Sequence, residues 1–373
     1  MNEGNLASII ISSYNYGRFL KEAIDSALNQ TYPRAEVIVV DDGSTDDSRS
    51  IIADYGDRIR PVLKENGGQA SAFNAGFAVS RGQVIFFLDS DDVLLPTAVE
   101  KAVVFFDDPQ VVKTHWPLSV IDEGGHETGK VIGVNLPEGD LREALILNGP
   151  DGYGWPPTSG SAWARRLIER VFPMPEAEYK TCPDLYLAAL APLFGLVRRV
   201  SEPQGFWRCH QVNNSWRESF EERMKAGLWR TECCLNTLSK YCEDMGISAA
   251  PENWKRNSWW RQIELATLKI AALIPPGETF ILVNEDEWAS GATIAGRRRL
   301  SFPERDGYYA GRPADDEGAI EELERLRRAG ANFIVFVWPF LWWLDYYEGL
   351  RWRLRTTFRC IAEDDRFVAF DLR

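Results

Sequence analysis

Four short runs near the start of the chain, residues 6–11, 36–40, 59–63 and 84–88, are apolar at nearly every position rather than at alternate ones. Between them, residues 19–28 place Leu20, Ala23, Ile24, Ala27 and Leu28 at helical spacing, and residues 70–79 do the same. A third helix runs toward Ala53, with Ser44 or Asp46 as its cap. Fully apolar strands alternating with helices predict an α/β fold whose mostly parallel sheet is covered on both faces. In such sheets ligands bind beyond the carboxyl ends of the strands. The polar stretches 12–17, 41–46 and 89–92 each follow a strand at that end, so three loops converge on one site.

Beyond residue 96 the pattern loosens. Residues 111–115 and 117–121 read as strands with a polar hairpin at 122–125, and 149–160 is a Gly- and Pro-rich loop. Residues 162–171 read as a helix, and another begins at 182–190 with Pro183 in its first turn. The spacing predicts three parts: an α/β domain over 1–217, a helical extension over 218–276 interrupted near 246–251, and a small α/β domain over 277–373. The last has expected strands at 280–283, 332–337 and 367–370 and a helix at 316–329.

Composition narrows the class. A net charge of -13 argues against a nucleic-acid partner. The six cysteines show no CxxC spacing, which fits a reducing compartment, with Cys233 and Cys234 left open as a redox pair. Residues 1–5 lack the basic head and apolar run of a secretory signal. The greasy stretch 333–343 is too short to span a bilayer and contains Pro339. The expectation is a cytoplasmic protein without a transmembrane segment, with peripheral attachment to the inner face of a membrane, or a protein partner, open to residues 277–373.

The chemistry is announced by Leu88-Asp-Ser-Asp-Asp92. Asp89 and Asp91 are two apart, so on extended backbone they point the same way, and two crowded carboxylates repel unless a cation joins them. Hard oxygen ligands suit Mg2+ or Mn2+. The alternative is a solvated acidic turn. The same letters also fit the nucleophile loop of haloacid-dehalogenase-like, magnesium-dependent phosphatases, but that reading leaves 12–17 and 41–46 without a task.

Five ordered motifs resemble the inverting family 2 glycosyltransferases, which have the GT-A fold. They are Ser12-Ser-Tyr-Asn-Tyr-Gly-Arg-Phe-Leu20, Val39-Val-Asp-Asp-Gly-Ser-Thr-Asp46, Asn66-Gly-Gly68 with Ala72-Phe-Asn-Ala-Gly76, Leu88-Asp-Ser-Asp-Asp92, and Thr181-Cys-Pro-Asp-Leu-Tyr186. The resemblance covers residues 6 to about 210. It implies transfer of a sugar from a nucleoside-diphosphate donor, UDP before dTDP, to a saccharide, lipid-linked saccharide or glycoprotein acceptor, in surface polysaccharide or glycoconjugate synthesis. A non-catalytic carbohydrate-binding or assembly protein on the same fold is the remaining alternative.

By the same resemblance, Asp42 accepts from the base or ribose, or else shapes its turn. Ser12 and Tyr14 border the base, with Tyr14 as a loop anchor otherwise. Lys64 and Asn74 lie by the third loop, at phosphate or ribose or in supporting roles. Asp91 and Asp92 hold the metal and Asp89 approaches ribose or a metal-bound water. Asp184 is the general base, although the family's usual acidic pair is here Pro183-Asp184, and a helix-capping role is its rival. Trp155, Ser159 and Gly160 fall on the acceptor side. His210, with Trp216 and Arg217, falls where members of the family place a lid over the diphosphate. Apart from the resemblance, Trp338, Trp342, Trp343, Tyr346, Tyr347 and Trp352 form a sugar-binding platform or a partner interface, or else core and rim of the last domain.

Overall fold

The computed structural model describes residues 5–210, 219–285, 288, 293–306 and 308–373. Trp216 and Arg217 lie outside them. The chain divides into two compact units, one of Met1–Trp216 with Trp229–Ser258 and one of Arg217–Leu228 with Trp259–Arg373.

The first unit begins β1 (Ala7–Ser13), α1 (Gly17–Leu28), β2 (Ala35–Asp42), α2 (Ser48–Asp54), β3 (Arg60–Lys64), α3 (Gln69–Val79) and β4 (Val84–Asp89). It continues through β5 (Val93–Leu94), α4 (Ala98–Val103), β6 (Val111–His115), β7 (Leu118–Ile121), β8 (Glu127–Ile132), α5 (Arg142–Asn148), β9 (Ser161–Ala164), α6 (Arg165–Val171), α7 (Pro183–Phe194), β10 (Leu196–Arg199) and β11 (Gly205–Arg208). Helix α8 (Phe220–Asp244) follows and contributes its later residues to this unit, as does α9 (Pro251–Asn257).

A seven-stranded sheet runs β10-β6-β9-β4-β1-β2-β3. β1 pairs in parallel with β2 and β4, β2 with β3, and β6 with β10; β9 is antiparallel to both its neighbours. The consecutive apolar residues are explained by two faces. Ile9, Ile11, Val37, Val39, Phe86 and Leu88 pack with Leu20 and Ile24 of α1, while Ile10, Ile38, Val40, Ile85 and Phe87 pack with Ala70 and Phe73 of α3. The GT-A-like parallel sheet expected from the sequence is therefore present. A second sheet, β5-β11-β7-β8, brings the end of β11 back beside the loop that leaves β4.

Two local expectations are corrected. Residues 162–164 are the middle and end of β9, with the helix starting only at Arg165, because backbone pairing to β4 and β6 outweighs an apolar run readable at either period. The helix toward Ala53 starts at Ser48, so Ser44 does not cap it; Ser44 Oγ accepts from the Asn15 N–H, and Asp46 Oδ1 takes the N–H of Ser48.

The second unit adds α10 (Trp259–Leu273), β12 (Thr279–Val283), β13 (Thr293–Ile294), β14 (Arg297–Ser301), β15 (Glu304–Arg305), β16 (Tyr308–Tyr309), α11 (Asp316–Arg328), β17 (Phe333–Val337), α12 (Trp343–Tyr346), α13 (Glu348–Thr357), β18 (Arg359–Asp364) and β19 (Phe367–Asp371). Its six-stranded sheet runs β13-β14-β12-β17-β19-β18 around its own core. The aromatic group divides between core and rim, one of the arrangements expected. Trp343 and Tyr347 are buried, bonded to Glu285 and the Pro313 carbonyl, whereas Tyr346 and Trp352 are exposed. Among the described residues no helix is long and apolar enough to cross a membrane.

Close approach of α3 to the sheet needs Gly76, where a Cβ would lie 2.4 Å from Ile10 Cγ2 and 3.1 Å from Val40 Cγ2. Gly76→Ala is expected to lower stability by about 1–3 kcal/mol through overpacking, read from urea denaturation midpoints.

Candidate active site

Parallel register sets the floor of the site. Ser13 lies beside Asp41, Ser12 beside Asp89, and Asp42 beside Lys64, so the loops after β1, β2, β3 and β4 leave the sheet at one level. Hydrogen bonds then fasten them. Ser44 Oγ accepts from Asn15 N at 3.0 Å, Asn15 Oδ1 from Thr45 N at 2.7 Å, and Asp46 Oδ2 from Gly17 N at 2.9 Å. Tyr14 is left half exposed at the rim, and Ser12 is buried beneath it in the chain.

Asp42 is buried and its carboxylate is filled by the chain itself. Lys64 Nζ donates at 2.6 Å, Gly68 N at 2.7 Å, Gly67 N at 3.0 Å and Asn66 Nδ2 at 3.1 Å. These bonds shape the 66–68 loop, in which Gly68 adopts φ +91 and a Cβ would strike Lys180. The Gln69 N–H bonds the Lys180 carbonyl at 2.7 Å, joining this loop to the segment leading into α7. Asp41 differs. It is fully buried, its Oδ2 accepts from Arg49 Nε at 2.7 Å, and its Oδ1 has no hydrogen-bond partner among the described residues. Asn74 spends its side chain on Met174 and Glu176, bracing the stretch before α7.

Asp89, Asp91 and Asp92 place oxygens within 4.8 Å of one another. Burial, then the charges of Asp92, Asp91 and Asp184, push Asp89 well above the usual carboxylate range. Burial and Asp91 do the same to Asp92, opposed by its bonds to Ser159 and Arg208. Such crowding of hard oxygens is relieved by a divalent cation, so this donor set fits one. The three are not equivalent. Asp92 Oδ2 accepts from Ser159 Oγ at 2.6 Å and Oδ1 from Arg208 N at 2.9 Å, leaving each oxygen one further lone pair. Asp91 is the more open, with Oδ2 2.9 Å from His210 Nε2. Asp89 Oδ1 accepts from Gln69 Nε2 at 2.6 Å.

His210 is buried, its ring packed 5.0 Å from Phe19 and 5.6 Å from Tyr16. It thus meets Asp91 as a packed, buried side chain rather than an exposed one. Arg208, also buried, binds the Asp91 carbonyl through Nε and Glu22 through Nη2. Ser159 and Gly160 are buried, Ser159 against Asp92 and Gly160 between Pro156 and the Trp116 backbone. Trp155 packs on Tyr153 and lines a small cavity with Asp184. At the head of α7, burial raises Asp184 above the usual range while the N–H groups of Leu185 and Asp184, with Lys113 and Arg230, hold it down.

Sequence reading missed Arg208, Gln69 and Glu22, whose partners lie far off in the chain. Asp41 and Asp42 are adjacent at a strand end and so face opposite ways, which separates Asp41, at Arg49, from Asp42, at Lys64. Asp42→Ala would leave the Gly67 and Gly68 N–H groups without their acceptor and the Lys64 ammonium with only the Glu65 carbonyl. The nucleotide-free variant should lose on the order of 1–3 kcal/mol, seen in chemical denaturation.

Residues 8–147 match the family model described as Glycosyl transferase family 2. A glycosyltransferase of Nostoc sp. is 36% identical over 241 residues, covering 61% of this chain and 74% of that protein. The hyaluronan synthase of Pasteurella multocida is 46% identical over 178 residues, which is 47% of this chain but 16% of the synthase. The solved structure of S. aureus TarS 1-349 in complex with UDP-GlcNAc superposes with a TM-score of 0.50 at 17% identity, covering 72% of this chain and 76% of that one, a likeness of fold. With the acidic cluster at the ends of its parallel strands and a relative matched over most of its length, the chain belongs to glycosyltransferase family 2.

Proposed function

We infer that the protein is an inverting glycosyltransferase that moves a sugar from a nucleoside diphosphate to an acceptor hydroxyl, aided by a divalent cation. The observation that carries this reading is the acidic triad at the mouth of three joined loops, close enough to Asp184 for their charges to interact. Magnesium or manganese suits the all-oxygen donor set, and uridine diphosphate is the first nucleotide to try, before thymidine diphosphate. The resemblance to a hyaluronan synthase supports a saccharide acceptor, free or carried on lipid or protein. A cytoplasmic setting goes with the nucleotide-sugar donor, with residues 277–373 available to a membrane surface or protein partner.

The geometry supports the following roles. Asp91 presents the most accessible oxygens to the cation, and Asp89 and Asp92 flank it. His210 fixes the Asp91 carboxylate, while Ser159 and Arg208 fix Asp92. The cation, when bound, neutralises charge developing on the departing diphosphate. Asp42 and Lys64 build the wall that meets a base N–H or ribose hydroxyl, and Tyr14 covers the rim. Asp184 takes the acceptor hydroxyl's proton as that oxygen bonds to the anomeric carbon. The bond from that carbon to the diphosphate oxygen breaks, and its electron pair leaves with the nucleotide. A carboxyl raised by burial is the stronger base for this step.

Thermal unfolding with UDP, dTDP, GDP or CDP, each with and without manganese, tests the reading. One nucleotide should stabilise the protein only when metal is present. No response to any of them overturns it. Asp91→Asn should abolish that metal-dependent shift. Asp184→Asn should retain it and slow transfer by ~10²–10⁴-fold.

A further inference from the structure

Lys113 sits in the middle of β6 and is fully buried, yet its Nζ has no hydrogen-bond partner among the described residues. The ammonium lies 4.9 Å from the Trp163 ring centroid and 5.2 Å from that of Tyr153. Two aromatic faces attract a cation but do not replace its lost hydration. A lysine that served packing alone would snorkel its charge to solvent, or be replaced by methionine at no electrostatic cost. Lys113 instead lines a cavity of about 10 Å³ with Asp184, Trp155, Thr158 and Ser161. That is room for roughly one water molecule, with Lys113, Asp184, Thr158 and Ser161 as polar partners among apolar neighbours such as Phe87 and Leu187.

The charged groups around the pair are few in kind. His115, two residues along the same strand, is held neutral: burial and Lys113 push it down to about 3, and its Nε2 contacts the Pro137 carbonyl. Arg199 on β10 also acts on His115. The carboxylate facing Lys113 is Asp184 on α7. Asp184 in turn feels Lys113 and Arg230 of α8, and its charge reaches the Cys182 thiol and Asp89.

We propose that Lys113 is a positioning residue for proton transfer, holding the Asp184 carboxylate ionised and oriented through one water bridged across this cavity. The inference rests on Asp184 being the base. During transfer Asp184 receives the acceptor's proton, while Lys113 keeps its own. The neutral acid then faces a cation, which favours release of the proton to solvent and resets the base. Burial has pushed the ammonium itself down to about 7, as expected of a charge kept for a purpose other than stability.

The test combines a stability, a titration and a kinetic measurement on the full chain. Lys113→Met removes the charge at similar volume. Its unfolding midpoint at neutral pH should hold or rise, since a buried unpaired ammonium is lost. In protein carrying [6-13C]lysine, the resonance absent from K113M should titrate near neutrality. It should move to lower pH by about one unit in D184N, because removing a nearby negative charge disfavours the ammonium. For manganese-dependent release of UDP from UDP-N-acetylglucosamine, with water as acceptor, K113M should shift the acid limb of the rate profile upward by about one unit. The sign follows from Asp184 holding its proton to higher pH without the cation. UDP binding should change less than twofold.

A lysine titration unaffected by D184N overturns the proposal, as does an unchanged acid limb with full activity. A lowered unfolding midpoint with activity lost equally at every pH also overturns it, by making Lys113 structural. If the wild type turns over no nucleotide sugar while the lysine still responds to D184N, the pairing stands and the functional reading is what fails.

Discussion

Level strand ends govern this molecule. Because β1 pairs in parallel with both β2 and β4, and β2 with β3, their carboxyl ends emerge in one row, and every polar loop must compete for the same small volume. Parallel pairing is possible only where crossovers cover both faces, and the two apolar faces of β1, β2 and β4 meet that condition. The acidic residues accordingly sit on a floor whose position is decided by the core.

That floor gathers carboxylates with different duties. Asp42 and Asp46 tie loops together, Asp92 is gripped by Ser159 and Arg208, Asp41 is closed off in the interior beside Arg49, and Asp91 is the more open. A cluster of equal charges would be unstable. Distributing donors unequally lets most of the negative charge be balanced internally while leaving a few oxygens short of partners.

The sequence makes some of this plain and hides the rest for identifiable reasons. Strands β1, β2 and β4 are legible because both their faces are buried; before the loops only Ser8 and Glu36 interrupt them, and these bond each other near the strand starts. The convergence of residues 12–17, 41–46 and 89–92 follows from topology alone. β9 is obscured because Ala162, Trp163 and Ala164 run into the apolar positions of α6 without a turn signal. The difference between Asp91 and Asp92 cannot be read locally, since it is made by Ser159, Arg208 and His210 arriving from other elements. Lys113 looks like any polar position in a strand; only the closed surroundings of its Nζ mark it out.

The antiparallel β9 has a wider meaning for how this architecture diversifies. Its entry turn carries Ser159 onto Asp92, while the segment preceding it, through Tyr153 and Trp155, runs past Asp184. One short turn therefore anchors the acidic cluster and carries the preceding loop past Asp184. An insertion upstream of Pro156 would change the surroundings of Asp184 while leaving the Ser159–Asp92 bond in place.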